Sequence, residues 1–182
     1  MYVRMQKFLA LGVAAALGSL ALGVASAGNA VADTQPPSGT PSTVSSDPLP
    51  TVQIDGVAWV QKVVGNTVFV GGKFTTARPA GAAPGTNTVP RSNFLAYNVQ
   101  TGELISSINL NFNAQVFSMA VSPDGTRLYV GGDFTTVNGE KHNRIVALNT
   151  SDGSVIKTFN AGTWSRVSGL GATNDTVYAG GN

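Results

Sequence analysis

Cysteine is absent from the 182 residues, histidine occurs once, and charged residues make up only 11% of the chain. The missing thiols exclude a disulfide scaffold, a Cys-ligated metal site and a thiol enzyme. A lone His142 cannot build a multi-histidine metal centre. An average soluble domain carries roughly 25% charge, and helical bundles and coiled coils need more, so the low charge argues against both. No acidic calcium loop, Gly-x-Ser-x-Gly elbow, dinucleotide fingerprint or Lys-Ser/Thr phosphate loop is present. No cofactor is expected. What is plentiful is glycine, 22 residues, and with it short apolar segments rich in Val, Phe and Tyr.

The N-terminus has the layout of an export signal. Arg4 and Lys7 precede an uncharged apolar stretch over residues 8–24, followed by two A-x-A sites, Ala25-Ser26-Ala27 and Ala30-Val31-Ala32. The stretch is short for a membrane span, and the next cation is Lys62, so no stop-transfer cluster follows. Residues 1–32 are therefore expected to be a cleaved signal peptide, with Ala30 and Ala32 marking the preferred site and no stable membrane anchor left afterwards. Of the 11 Lys+Arg residues two lie in this leader, while all 9 acids follow it. The mature chain is then neutral, and its overall basicity does not imply a nucleic-acid partner. The expected location is secreted or cell-surface, outside the cell.

Residues 33–53 are mostly Pro, Ser and Thr. They hold too little apolar surface to offset the entropy of ordering, which predicts a disordered linker. From residue 54 to 182 the chain repeats itself. Val68-Phe69-Val70-Gly71-Gly72-Lys73-Phe74-Thr75-Thr76 recurs as Leu128-Tyr129-Val130-Gly131-Gly132-Asp133-Phe134-Thr135-Thr136, and begins again as Val177-Tyr178-Ala179-Gly180-Gly181-Asn182. Upstream of each copy stands Val-x-x-apolar, beginning at Val57, Val116 and Val167. Downstream come a third segment, residues 93–98 and 144–149, and a fourth, residues 103–108 and 154–159. Gly, Asn, Asp and Pro turns separate the segments, as tight hairpins require. The first unit is longer because of a Pro/Gly/Ala loop within residues 77–90, an insertion that costs little at a surface.

Four short segments in about 50 residues is the size of one four-stranded antiparallel propeller blade. The expectation is an all-β fold: a partial β-propeller of about two to three blades. Two glycines inside a strand cost roughly 0.5–1 kcal/mol each relative to Ala, and are tolerated where a strand bulges or another backbone comes close. Gly71, Gly72, Gly131, Gly132, Gly180 and Gly181 are thus expected to be structural. They leave room for Phe74 and Phe134 to enter an interior layer.

These residues, and especially the run from Leu128 to Phe159 with Asn138-Gly139 and Asn143-Arg144, resemble the secreted bacterial β-propeller repeats of the delta-sixty type. The resemblance covers about residues 54–182 and implies a propeller domain in an exported, often multidomain, protein. Propellers usually have four to eight blades, so the chain is expected to be a fragment. Function is expected to be non-catalytic: binding or scaffolding outside the cell, with a protein or glycan as ligand. The alternative is part of a polysaccharide-active or quinoprotein-like propeller enzyme whose site is completed by further blades. His142 is expected in a polar turn, and the sequons at Asn149 and Asn174 as chance matches. Trp59 is expected in the core, and Trp164, in a polar connection, is the candidate for stacking on a ligand.

Overall fold

The computed structural model describes residues 49–182. The signal peptide, its cleavage residues Ala30 and Ala32, and most of the expected linker lie outside the described residues. The described part is all-β, built of several small antiparallel sheets, and none of its residues is helical. No helix among the described residues is long and apolar enough to cross a membrane.

The first repeat comprises β1 (Gln53–Ile54), β2 (Val57–Val64), β3 (Thr67–Lys73), β4 (Thr76–Arg78), β5 (Val89–Pro90) and β6 (Phe94–Asn98). The second comprises β7 (Val116–Val121), β8 (Arg127–Gly132), β9 (Thr136–Val137), β10 (Glu140–Lys141) and β11 (Ile145–Asn149). The third contributes a hairpin of β12 (Gly169–Ala172) and β13 (Val177–Gly180). The main sheets have the orders β2-β3-β6 and β7-β8-β11, so the Gly-Gly strand is central in each. A smaller hairpin follows each central strand. In the second repeat β9 and β10 are joined by Asn138-Gly139, both at positive φ, the backbone a two-residue hairpin turn requires. In the first repeat the insertion occupies the same place as a longer loop between β4 and β5.

Three expectations change. The fourth segment does not form a full strand. It meets its sheet through single bridges, Tyr97 to Leu104 and Leu148 to Val155. Just beyond, Ile108 N–H donates to the Ile105 carbonyl, and Phe159 N–H to the Ile156 carbonyl. The chain turns back on itself before a ladder can extend. Second, the residues just before 54 belong to the fold: Val52 N–H donates to the Gly102 carbonyl and β1 pairs with β4. Val52 and Ile54 cover the buried Val68, Val70, Phe74 and Leu95, apolar burial that stabilises the ordered backbone there.

Third, the first strand of the first repeat aligns one residue away from the sequence pattern. Ala58, not Val57, faces Gly72, as Val116 faces Gly132. Each first strand then carries a bulge, at Trp59 in β2 and at Phe117 in β7. The extra residue hides the true register from a simple period.

The two glycines of each pair have different causes. A Cβ at Gly72, Gly132 or Gly181 would collide with the backbone oxygen of Val57, Gln115 or Arg166 respectively, on the neighbouring first strand of the same repeat. A Cβ at Gly71 would collide with Val116 and Met119 of the next repeat, and one at Gly131 with Val167 and Leu170. The second glycine thus admits the bulge, and the first admits the following repeat. Phe74 and Phe134 are buried. Phe134 packs edge-on to Phe112 at 4.8 Å between ring centroids, in a core that joins the first two repeats through Phe69 and Phe94.

Candidate functional site

An open groove of about 550 Å³ lies where the first two repeats meet. Asp55, Lys73 and Thr75 line it from the first repeat, Asn113, Gln115 and Asp133 from the second. Asp55 Oδ1 accepts the Thr75 and Thr76 N–H groups at 2.8 and 3.0 Å. Asn113 Oδ1 accepts those of Thr135 and Thr136 at the same distances. Each side chain thereby caps the turn after its Gly-Gly-x-Phe. Burial pushes the Asp55 carboxyl up, but the Thr75 hydroxyl and the Thr76 and Thr75 amides outweigh it and hold the group well below the usual carboxylate range.

Asp133 is bound more heavily. Arg166 donates to it twice, Nε at 3.1 Å and Nη2 at 2.9 Å, the bidentate fork that fits a carboxylate. Gln115 Nε2 adds a third bond at 3.3 Å, and Arg144 lies 3.7 Å away. Arg166 first, helped by Gln115 and Arg144, lowers the Asp133 pKa.

Arg166 also lies over the Phe117 ring, 4.5 Å from its centroid. Phe117 in turn stacks on Trp59, with centroids 6.2 Å apart. Trp59 is 52% exposed, which corrects its expected place in the core. No residue of β2 is buried, and Val57 and Val63 of the same strand are exposed with it; Phe117, at the equivalent bulge of β7, is half-buried beside it. The groove residue Asp133 is thus linked through Arg166 to an open aromatic face. Trp164 is 98% exposed and stands apart from this row. Its backbone neighbour Thr163 is tied to Asn143. His142 N–H donates to the Thr135 carbonyl. Asn174 Oδ1 accepts the Asp124 N–H, and Asn149 Nδ2 donates to Ser154 Oγ. Among the described residues no three acidic or histidine side chains gather as a metal-ion set.

Sequence reasoning passed over Asp55, Asn113 and the Trp59–Phe117–Arg166 row. The caps sit about 20 residues from the amides they hold. The available signal was the repeated Thr-Thr pair after each Phe, which presents two consecutive amides needing an acceptor. Comparison with known proteins adds no relative: no family model matches the chain, and no curated protein is similar to it.

Proposed function

We propose that the protein is an exported, non-catalytic β-propeller segment of the delta-sixty-like kind, which binds glycan chains outside the cell along the Trp59–Phe117 row and the adjoining groove. The observation that carries this is the state of the groove carboxylates. Asp55 accepts three hydrogen bonds from Thr75 and Thr76, and Asp133 is enclosed by Arg166, Gln115 and Arg144. Both are held in the ionised form, so neither stores a proton for acid catalysis at neutral pH. What they leave open is a half-exposed indole stacked on Phe117, whose ring lies under the Arg166 guanidinium. An apolar sugar face stacks on such a ring while the hydroxyls find polar partners at its rim. The propeller part of the proposal is supported by β2, β7 and β12, which follow one another in contact as the innermost strands of successive blades would.

The test is tryptophan fluorescence of secreted protein titrated with soluble oligosaccharides from cell-wall and matrix polymers, alongside a reducing-end assay on the same sugars. A shift that Trp59→Ala removes, without release of reducing ends, is the expected result. Binding that survives Trp59→Ala overturns the site, and steady release of reducing ends favours the enzyme alternative. Mass spectrometry of the secreted material should find Asp33 or Gly28 as the first residue. An intact Met1 in the medium overturns signal cleavage.

A further inference from the structure

The seams between repeats follow one rule, and the third repeat carries half of another seam. At Gly71 the next repeat presents Val116 and, three residues on, Met119; at Gly131 it presents Val167 and Leu170. Val116 and Val167 are buried in these positions. Two residues before each of these glycines stands an aromatic side chain on the same face of the strand. Phe69 is 0% exposed and Tyr129 4% exposed. The second seam is pinned further by Val167 N–H donating to the Gly132 carbonyl and by Ser118 Oγ donating to the Val167 carbonyl at 3.2 Å.

In β13 the corresponding residues are Tyr178 and Gly180. Tyr178 is 62% exposed, and nothing lies within 4 Å of a Cβ built at Gly180. A glycine with open space around it has no local reason to be glycine. At the two equivalent positions the reason is the Val and the Met or Leu of a following first strand, joined at Gly131 by the Ser118 hydroxyl of its own repeat. The open face of β13 also continues an interface already formed twice in the same molecule, by β3 against β7 and by β8 against β12.

We infer that the Tyr178–Gly180 face of β13 is a docking seat for a further repeat of the same type, whose first strand presents Val-x-x-Leu or Val-x-x-Met, the Val seated on Gly180. This rests on the propeller reading and goes beyond it by specifying the occupant. A second copy of this chain docking through its own first repeat fits less well. At the equivalent positions of β2 it offers Ala58 and Gln61, a smaller side chain and a polar one in place of Val and Leu or Met. An Ala in the seat leaves a void beside Gly180, and the amide would lie against apolar neighbours.

The test extends the full chain in register. Asn182 follows Gly181 as Asp133 follows Gly132, so a second copy of residues 134–182 fused directly after Asn182 supplies a new first strand with Val and Leu at the required spacing. Hydrogen exchange read by mass spectrometry follows three strands: β3, β8 and the original β13. In the unextended chain β13, paired on one edge only, should exchange faster than β3 and β8. In the extended chain its exchange should slow by about tenfold or more, read from peptides that cross the fusion junction and so belong to the original β13. Nitration of the original Tyr178, read from the same peptides, should fall in parallel. Gly180→Leu is the second arm. It should leave the unextended chain's unfolding midpoint unchanged, because the space is open, and abolish the protection in the extended chain.

A folded extended chain with β13 still exposed overturns the seat, as does Gly180→Leu tolerated equally in both chains. Burial of Tyr178 in the unextended chain at high concentration, with dimers in sedimentation, overturns it in favour of a second copy. Loss of protection at β3 and β8 as well would show that the repeats do not pack on one another. That would overturn the propeller reading itself and the seat with it.

Discussion

The first and second repeats solve the same geometric problem with different residues. Both place a Gly-Gly strand at the centre of a three-stranded sheet, bulge the preceding strand, bury the Phe after the glycines, and cap the next two threonine amides. The amides are capped by a carboxylate in one repeat and by a carboxamide in the other. The residue before the third strand has positive φ in both, as Asn93 in one and Arg144 in the other. Asn93 spans the seam by donating to the Phe112 carbonyl, whereas Arg144 turns to the Asp133 carbonyl and carboxylate of its own repeat. What is held constant is therefore steric: space for a bulge, space for a neighbouring repeat, a ring in the core. Hydrogen bonding at each place is kept while charge and side-chain length vary.

The aromatic layer should expose the largest difference. Phe134 lies in the core shared by both repeats, whereas Phe74 lies in a smaller cluster covered by Val52 and Ile54. Phe→Ala in a core costs about 3–5 kcal/mol. Phe134→Ala should fall at the upper end of that range and Phe74→Ala at the lower end, measured as the shift in urea midpoint at constant slope. Equal losses would mean that the edge cluster is packed as firmly as the shared core.

The second glycine should behave identically in both repeats. Gly72→Ala and Gly132→Ala each force a methyl against backbone, which cannot rotate away. Overpacking of this kind costs about 1–3 kcal/mol, and circular dichroism melts of the two variants should move together. A Gly72→Ala variant as stable as the parent would show that the bulge at Trp59 can be given up.

This pair of glycines marks how far the sequence alone can be read. The all-strand character and the buried Phe are local patterns, visible because each short window carries its own turn residues and alternation. The register of the first strands was not visible. Val57, Val116 and Val167 line up by eye, but the turn from β2 to β3 is shorter than that from β7 to β8, and Ala58, not Val57, takes the place of Val116. Trp59, expected in the core, is exposed along with most of β2, a strand with no buried residue. The caps were hidden for another reason. Asp55 and Asn113 act across the fold on amides that are distant in sequence, and nothing beside them in the chain announces the partner. The site residues were thus missed at the places where tertiary geometry overrides the strand period.

The insertion offers a smaller test of the same comparison. Replacing residues 78–88 with Asn-Gly would give β4 and β5 the connection that joins β9 to β10, preserving the Ala77 to Val89 pairing. A shorter loop has less closure entropy to lose, but the Gln53 to Arg78 pairing of β1 goes with it. Thermal stability should rise by no more than about 1 kcal/mol. A clear loss would assign the long loop a packing role that its counterpart lacks.

The cap exchange should be nearly silent at neutral pH and speak only in acid. The Asp55 carboxyl is held below its ordinary value in the folded chain. The stability it contributes is therefore fully present above the unfolded value of about 3.9 and is lost as pH falls below it. Asn113 makes the same two amide bonds with a group that does not titrate. Asp55→Asn should keep the midpoint at pH 7 within about 0.5 kcal/mol, the range of surface changes that preserve a contact, and flatten the loss of stability between pH 5 and 2. Asn113→Asp should steepen that loss. Asp133 is also held low, by Arg166 first, and Asp124 and Asp152 by hydrogen bonds within their turns. Some acid sensitivity must therefore remain in Asp55→Asn. If the two exchanges left the acid limb unchanged, the caps would be incidental to folding, and the threonine amides would be satisfied equally well by water.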